Sequence, residues 1–261
     1  MFSAFLLTAI FILLTTAVGL PLIRGGIVDK TIGMPIYIAY QIVLAAIGIY
    51  LMKKLQLLDP GDFSFKNAGK GFALGWVMLL LAALLFVSGL TSPPSGGFIT
   101  PDPLFLIIVI LYPFIVSGLF EEVVFRGIVL KILLKKMGGT KKGIINALIV
   151  SALFFAVVHS VHLLWDTPLT VFSDVVIAAA GGIFFGAIYL RAKTLIAPIL
   201  LHGFFNLFAS MIWWAFTAKG PESVAETTPD DLAAVGIAVL PLLIAAFVLL
   251  RKVRPEAGYY S

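Results

Sequence analysis

The sequence predicts an all-α polytopic membrane protein, a bundle of about eight transmembrane helices forming one integral-membrane domain over residues 1–261. Three observations carry that prediction. Hydrophobic residues make up 61% of the chain and charged residues only 12%, where a soluble domain carries about 25% charged residues. Apolar stretches near the roughly 20 residues that cross a bilayer as a helix recur along the whole chain and leave no room for a sizeable soluble domain. The basic residues gather in alternate connections between those stretches, as topology signals do.

The expected spans are residues 2–23, 35–52, 71–90, 104–130, 143–165, 171–190, 194–217 and 232–250. The first, "MFSAFLLTAIFILLTTAVGLPLI", has no basic n-region and outruns a signal-peptide core, so it is expected to stay as a helix. The second ends on Lys53 and Lys54, and the connection to Gly71 is expected to hold a short interfacial helix. A Pro/Gly-rich loop, Thr91–Pro103, separates the third span from the fourth, and a Gly-centred turn at Lys136–Gly143 closes a hairpin between the fourth and fifth. A polar, acidic stretch, Ala218–Asp231, precedes the last span. Of the 18 basic residues, 14 fall in alternate connections and the C-terminus, 3 (Arg24, Lys30, Lys219) on the opposite side and one, Arg126, within a helix. Lys and Arg accumulate on the cytoplasmic side, so both termini are expected there, and the site is expected to be reached from that half. With no cysteine, disulfides, thiolate catalysis and zinc–cysteine sites are excluded. The dispersed basic charge offers no nucleic-acid surface.

Charged groups inside a membrane are costly and mark function. The fourth span, "GLFEEVVFRGIVLK", holds Glu121, Glu122 and Arg126. Side chains four apart share a helix face, which pairs Glu122 with Arg126 and leaves Glu121 without that partner. Two of the three histidines sit in similar patterns: "FAVVH" puts Phe155 and His159 at i,i+4, and "HGFFN" does the same for His202 and Asn206. Polar groups at membrane depth must meet one another or water, so Glu121, His159, His202 and Asn206 are expected to converge. His162 reads as an interfacial residue beside Trp165, and Trp213 with Trp214 as an aromatic anchor at the interface. No H-E-x-x-H zinc string occurs. No cofactor is expected, and a divalent metal stays open.

These residues resemble a known family. "EEVVFR" (Glu121–Arg126), "FAVVH" and "HGFFN" are similar to the EExxxR, FxxxH and HxxxN motifs of the CPBP intramembrane proteases, also called the CAAX amino-terminal protease family, in the same order and on separate helices. The motif-bearing region covers about residues 104–217. The resemblance implies a glutamate-dependent membrane endopeptidase of the Ras-converting type, which removes the last three residues after a prenylated cysteine. It implies that Glu121 activates water with His159 assisting, that His202 and Asn206 bind the oxyanion, and that Glu122 and Arg126 support the site. The implied partners are a peptide or prenylated protein and membrane lipid, and the compact size of the chain points to a prokaryotic cell membrane. Two alternatives remain: a protease of non-prenylated peptides, as in bacteriocin immunity or maturation, and a proton-coupled transporter using the same polar groups.

Overall fold

The computed structural model describes residues 2–19, 30–91, 97–216 and 227–255. Among them every regular element is helical. In chain order these are α1 (Phe2–Gly19), α2 (Lys30–Lys54), α3 (Ala68–Leu74), α4 (Trp76–Thr91), α5 (Pro103–Met137), α6 (Lys141–Val158), α7 (Pro168–Ala192), α8 (Ile196–Phe216) and α9 (Leu232–Arg251). Side-chain caps mark three of the starts. Asp102 accepts from the Phe105 amide at 2.8 Å, Thr140 from Gly143 at 3.0 Å and Thr167 from Thr170 at 3.4 Å. Each satisfies an amide that the first helical turn leaves without an intrahelical acceptor.

The all-α, multi-pass architecture is the predicted one. Among the described residues six helices are long and apolar enough to cross a membrane: α2, α5, α6 with its short continuation to Leu164, α7, α8 and α9. The third expected span is divided. α3 and α4 meet at a 64° bend at Gly75, so they form a seventh span only as a broken one. α1 covers 18 residues of the first expected segment, Phe2–Gly19, and residues 20–23 lie outside those described. The short helix foreseen between the second and third spans is α3, entered through a 3-10 turn at Phe65–Asn67.

Hydrogen bonds bring the basic connections to one end of the bundle. Lys135 donates to the Gln56 carbonyl at 2.9 Å, Lys141 to that of Arg251 at 2.8 Å, and Arg191 to that of Lys252 at 2.8 Å. Cationic side chains suit helix C-termini, whose last carbonyls lack intrahelical donors. Deeper at the same end, Lys131 donates to Asp62 at 2.6 Å, to Asp59 at 2.7 Å and to the Leu57 carbonyl. Asp62 also accepts from the Tyr189 hydroxyl at 2.9 Å. This clamp fastens the α2–α3 connection under α5 and α7. Above it the bundle is solid: Ile128, Leu130 and Leu133 of α5 pack fully buried with Ile144 of α6 and Phe184 and Ile188 of α7. Of the three basic residues assigned to the opposite side, Arg24 and Lys219 lie outside the described residues.

Gly118 decides how closely α5 approaches α8. A Cβ there would stand 2.6 Å from the Ile199 carbonyl oxygen, inside any tolerable contact. With only hydrogen at that position the two backbones meet, and the side chains one turn further along can bond across the gap.

Candidate active site

All three motifs fall where a helix departs from regular α geometry. α5 is π-helical over Pro113–Glu121 and again over Val123–Leu130, on either side of Glu122. A π turn bonds each amide to the carbonyl five residues back, and such turns recur at functional sites. Pro113 opens the first of them and has no amide hydrogen to donate. α6 tightens into a 3-10 turn over His159–Leu164, and α8 widens into a π turn over Leu207–Met211, directly after Asn206. Hydrophobic spacing alone predicts plain α-helix through all three.

The expected ion pair is present. Arg126 Nη1 donates to Glu122 Oε1 at 2.8 Å, with the two side chains 2% and 0% exposed. The guanidinium also donates through Nη2 to the Gly182 carbonyl at 3.3 Å, and it lies 4.7 Å from the Phe155 ring centre. His202 joins this pair from α8, its Nδ1 donating to Glu122 Oε1 at 2.9 Å. Its imidazole stacks on Phe185 with ring centres 4.8 Å apart. Stacking and hydrogen bond together hold the ring in one orientation.

Glu121 stands apart from that network. Its side chain is 23% exposed, and its Oε2 lies 3.9 Å from His202 Nε2, beyond hydrogen-bond length. His159 is held by a bond from Nδ1 to the Phe155 carbonyl at 2.9 Å. A carbonyl only accepts, so Nδ1 of His159 carries a proton; the ion-paired carboxylate of Glu122 places the same requirement on His202. In their neutral forms both imidazoles therefore present the unprotonated Nε2. Fixing the tautomer through the other ring nitrogen is how proteins assign a histidine its role.

Glu121, His159, His202 and Asn206 all line one cavity of about 600 Å³, within the range of roughly 300–1,000 Å³ common for ligand sites. The structure thus brings the four predicted site residues together, with Glu122 and Arg126 in the layer behind them. The cavity wall comes from the parts of α2, α5, α6, α7 and α8 that lie away from their basic ends, with further residues from α1, α4 and α9, and reaches Trp165, Asp166 and Trp214. That placement corrects the expected approach from the lysine-rich half. Basic residues mark one end of a bundle but not which half of it is hollow.

Two further readings change. His162 does sit beside Trp165, with ring centres 5.3 Å apart, but it also lines the cavity, 5.6 Å from the His159 ring, and bonds Asp174 at 3.1 Å. Trp214 packs edge-on to Tyr112 at 6.0 Å and lines the same cavity, while Trp213 stacks on Phe86 at 5.1 Å. Sequence reasoning also passed over Tyr37, Gln41 and Asp174, all in the cavity wall. A signal was present for the last two, since Gln41 and Asp174 interrupt otherwise apolar helices. Among the described residues no group of three or more His, Cys, Asp or Glu is placed to share a metal ion.

Residues 103–208 match the family model for Rce1-like proteins, type II CAAX prenyl endopeptidases. The match spans α5 to the middle of α8 and contains all three motifs. No curated protein sequence matches the chain.

Proposed function

We propose that this chain, whose residues 103–208 match the Rce1-like family model, is an intramembrane endopeptidase whose attacking water is activated by Glu121. The observation that carries the reading is the contrast within one motif. Oε1 of Glu122 accepts from both Arg126 and His202, whereas Glu121 faces the cavity beside His202 Nε2 with no hydrogen-bonding cation.

The reaction is an ordinary hydrolysis. Glu121 takes a proton from water, and the water oxygen bonds to the peptide carbonyl carbon, with the Nε2 lone pair of His159 accepting a hydrogen bond from that water. The carbonyl becomes an oxyanion. Asn206 donates to it through its side-chain amide, which needs no change of protonation. His202 donates from Nε2 only when doubly protonated. The C–N bond then breaks, and the proton on Glu121 passes to the leaving amine. One well-placed oxyanion donor is worth roughly 10²–10³-fold in rate.

For the substrate, the family resemblance supports a prenylated CAAX sequence from which the terminal tripeptide is removed. The position of the cavity favours a second reading, a non-prenylated peptide, because the hollow half lies away from the basic end. Incubation of purified protein with a farnesylated CAAX peptide and its non-prenylated twin, with and without chelator, separates these. Cleavage of the farnesylated peptide alone supports the first reading, and cleavage of both supports the second. Cleavage of neither, or undiminished cleavage by Glu121→Gln, defeats the proposal.

A further inference from the structure

We infer that the cavity is loaded from the membrane face opposite the basic one, which makes its substrate a neutral or cationic peptide on the extracytoplasmic side. The inference rests on the peptidase reading for the word substrate, but the access route stands on three observations of its own.

The first is where the hollow ends. From Glu121 the lining rises through His159 and His162 to Trp165 and Asp166, at the finish of α6 and the approach to α7. The second is what lies beneath. On the basic side of Glu121 comes the layer of Glu122, Arg126 and His202, then the fully buried Ile128, Leu130 and Leu133, then the Lys131–Asp62 clamp. Interiors packed in this way hold few voids larger than a water molecule, so no peptide reaches Glu121 from there. The third is charge. Lys and Arg concentrate in cytoplasmic connections, and 14 of the 18 in this chain belong to the closed end. The hollow end therefore faces away from the cytoplasm. Among the described residues the charged side chains lining it are Glu121, Asp166 and Asp174, with no Lys or Arg. Carboxylates concentrated in a low-dielectric cleft raise the local concentration of cations and repel anions.

The chain has no cysteine, which provides a clean test. Single-cysteine variants Asp166→Cys and Val161→Cys at the hollow end, with Lys136→Cys at the basic end, would be produced in bacterial cells and exposed to a membrane-impermeant maleimide. The first two are expected to label fully in intact cells, and Lys136→Cys only after lysis. The reverse pattern, or labelling of both ends from outside, overturns the inference; two hollow-end positions guard against one variant failing to fold. A second arm uses the unmodified protein in sealed vesicles of known orientation, with a lysine-bearing and an aspartate-bearing fluorogenic peptide outside. Cleavage of the lysine peptide only when the hollow end faces outward is expected, with the aspartate peptide cut more slowly. Cleavage only with the basic end outward overturns the inference. Predicted labelling without any cleavage leaves the access face standing and removes the peptidase reading instead.

Discussion

Two buried charge clusters follow one another along the second half of α5, and they solve the same problem differently. At the basic end Lys131 meets two aspartates and a carbonyl, while Asp62 accepts from Lys131, from the Asp59 amide and from the Tyr189 hydroxyl. Every charge there has partners, and nothing remains to react. Ten residues before Lys131, Glu121 has no partner closer than the 3.9 Å to His202 Nε2, although it neighbours a carboxylate whose Oε1 accepts from both Arg126 and His202. A buried charge with its hydrogen bonds filled acts as a fastener. One left unfilled at the wall of a cavity is held ready for a ligand or a reaction, and the fold must offset its cost elsewhere. Glu122 and Arg126 do that by neutralising one another beside it.

This contrast can be broken by mutation, and the largest effect belongs to the unfilled side. Glu121→Gln is expected to reduce peptide cleavage to background while leaving the denaturation midpoint in detergent unchanged or higher, because it removes a charge without a partner. A lower midpoint would mean that Glu121 is a fastener after all. Arg126→Ala is expected to cost about 3–5 kcal/mol of stability, the range for stripping one partner from a buried ion pair, and denaturant titration in mixed micelles reads it directly. Should Arg126→Ala prove milder than Glu121→Gln by that measure, the division of roles within the motif is wrong. Asn206→Ala is expected to lower kcat by about 10²-fold with KM little changed, as for the loss of one oxyanion donor; a change confined to KM would assign Asn206 to binding. The smallest effect is at the basic end. Asp59 is 63% exposed at its side chain, so Asp59→Ala is expected to cost less than about 1 kcal/mol, as exposed pairs do. Asp62→Ala, which opens the buried half of the same clamp, should cost several times more.

What could be read in advance follows from how far each contact reaches along the chain. The Glu122–Arg126 pair is legible because both partners lie on one helix, one turn apart. The grouping of Glu121 with His159, His202 and Asn206 was inferred from shared intramembrane polarity, and the cavity collects all four. The bond between His202 and Glu122 spans 80 residues and the Lys131–Asp62 bridge 69, and no local spacing announces either. Missing both partners left His202 as a free oxyanion donor and the α2–α3 connection as a simple interfacial link. His162 was underrated for a similar reason. It looks like one residue at a helix end until Asp174, on the following helix, turns out to hold it against the cavity.

By itself the sequence determines the class, the helix positions and the identity of the polar residues, because apolar run length, turn chemistry and helical spacing are local and the membrane enforces them strictly. It also determines which end of the bundle is basic, since charge distribution is a property of the chain order. Only the tertiary structure decides that α3 and α4 bend rather than run straight, that π and 3-10 turns interrupt the motif helices, and that the hollow lies on the far side of Glu121 from the lysines. Those features depend on how closely neighbouring helices pack, as at Gly118 against Ile199. Packing is settled between elements distant in sequence and not within any one of them.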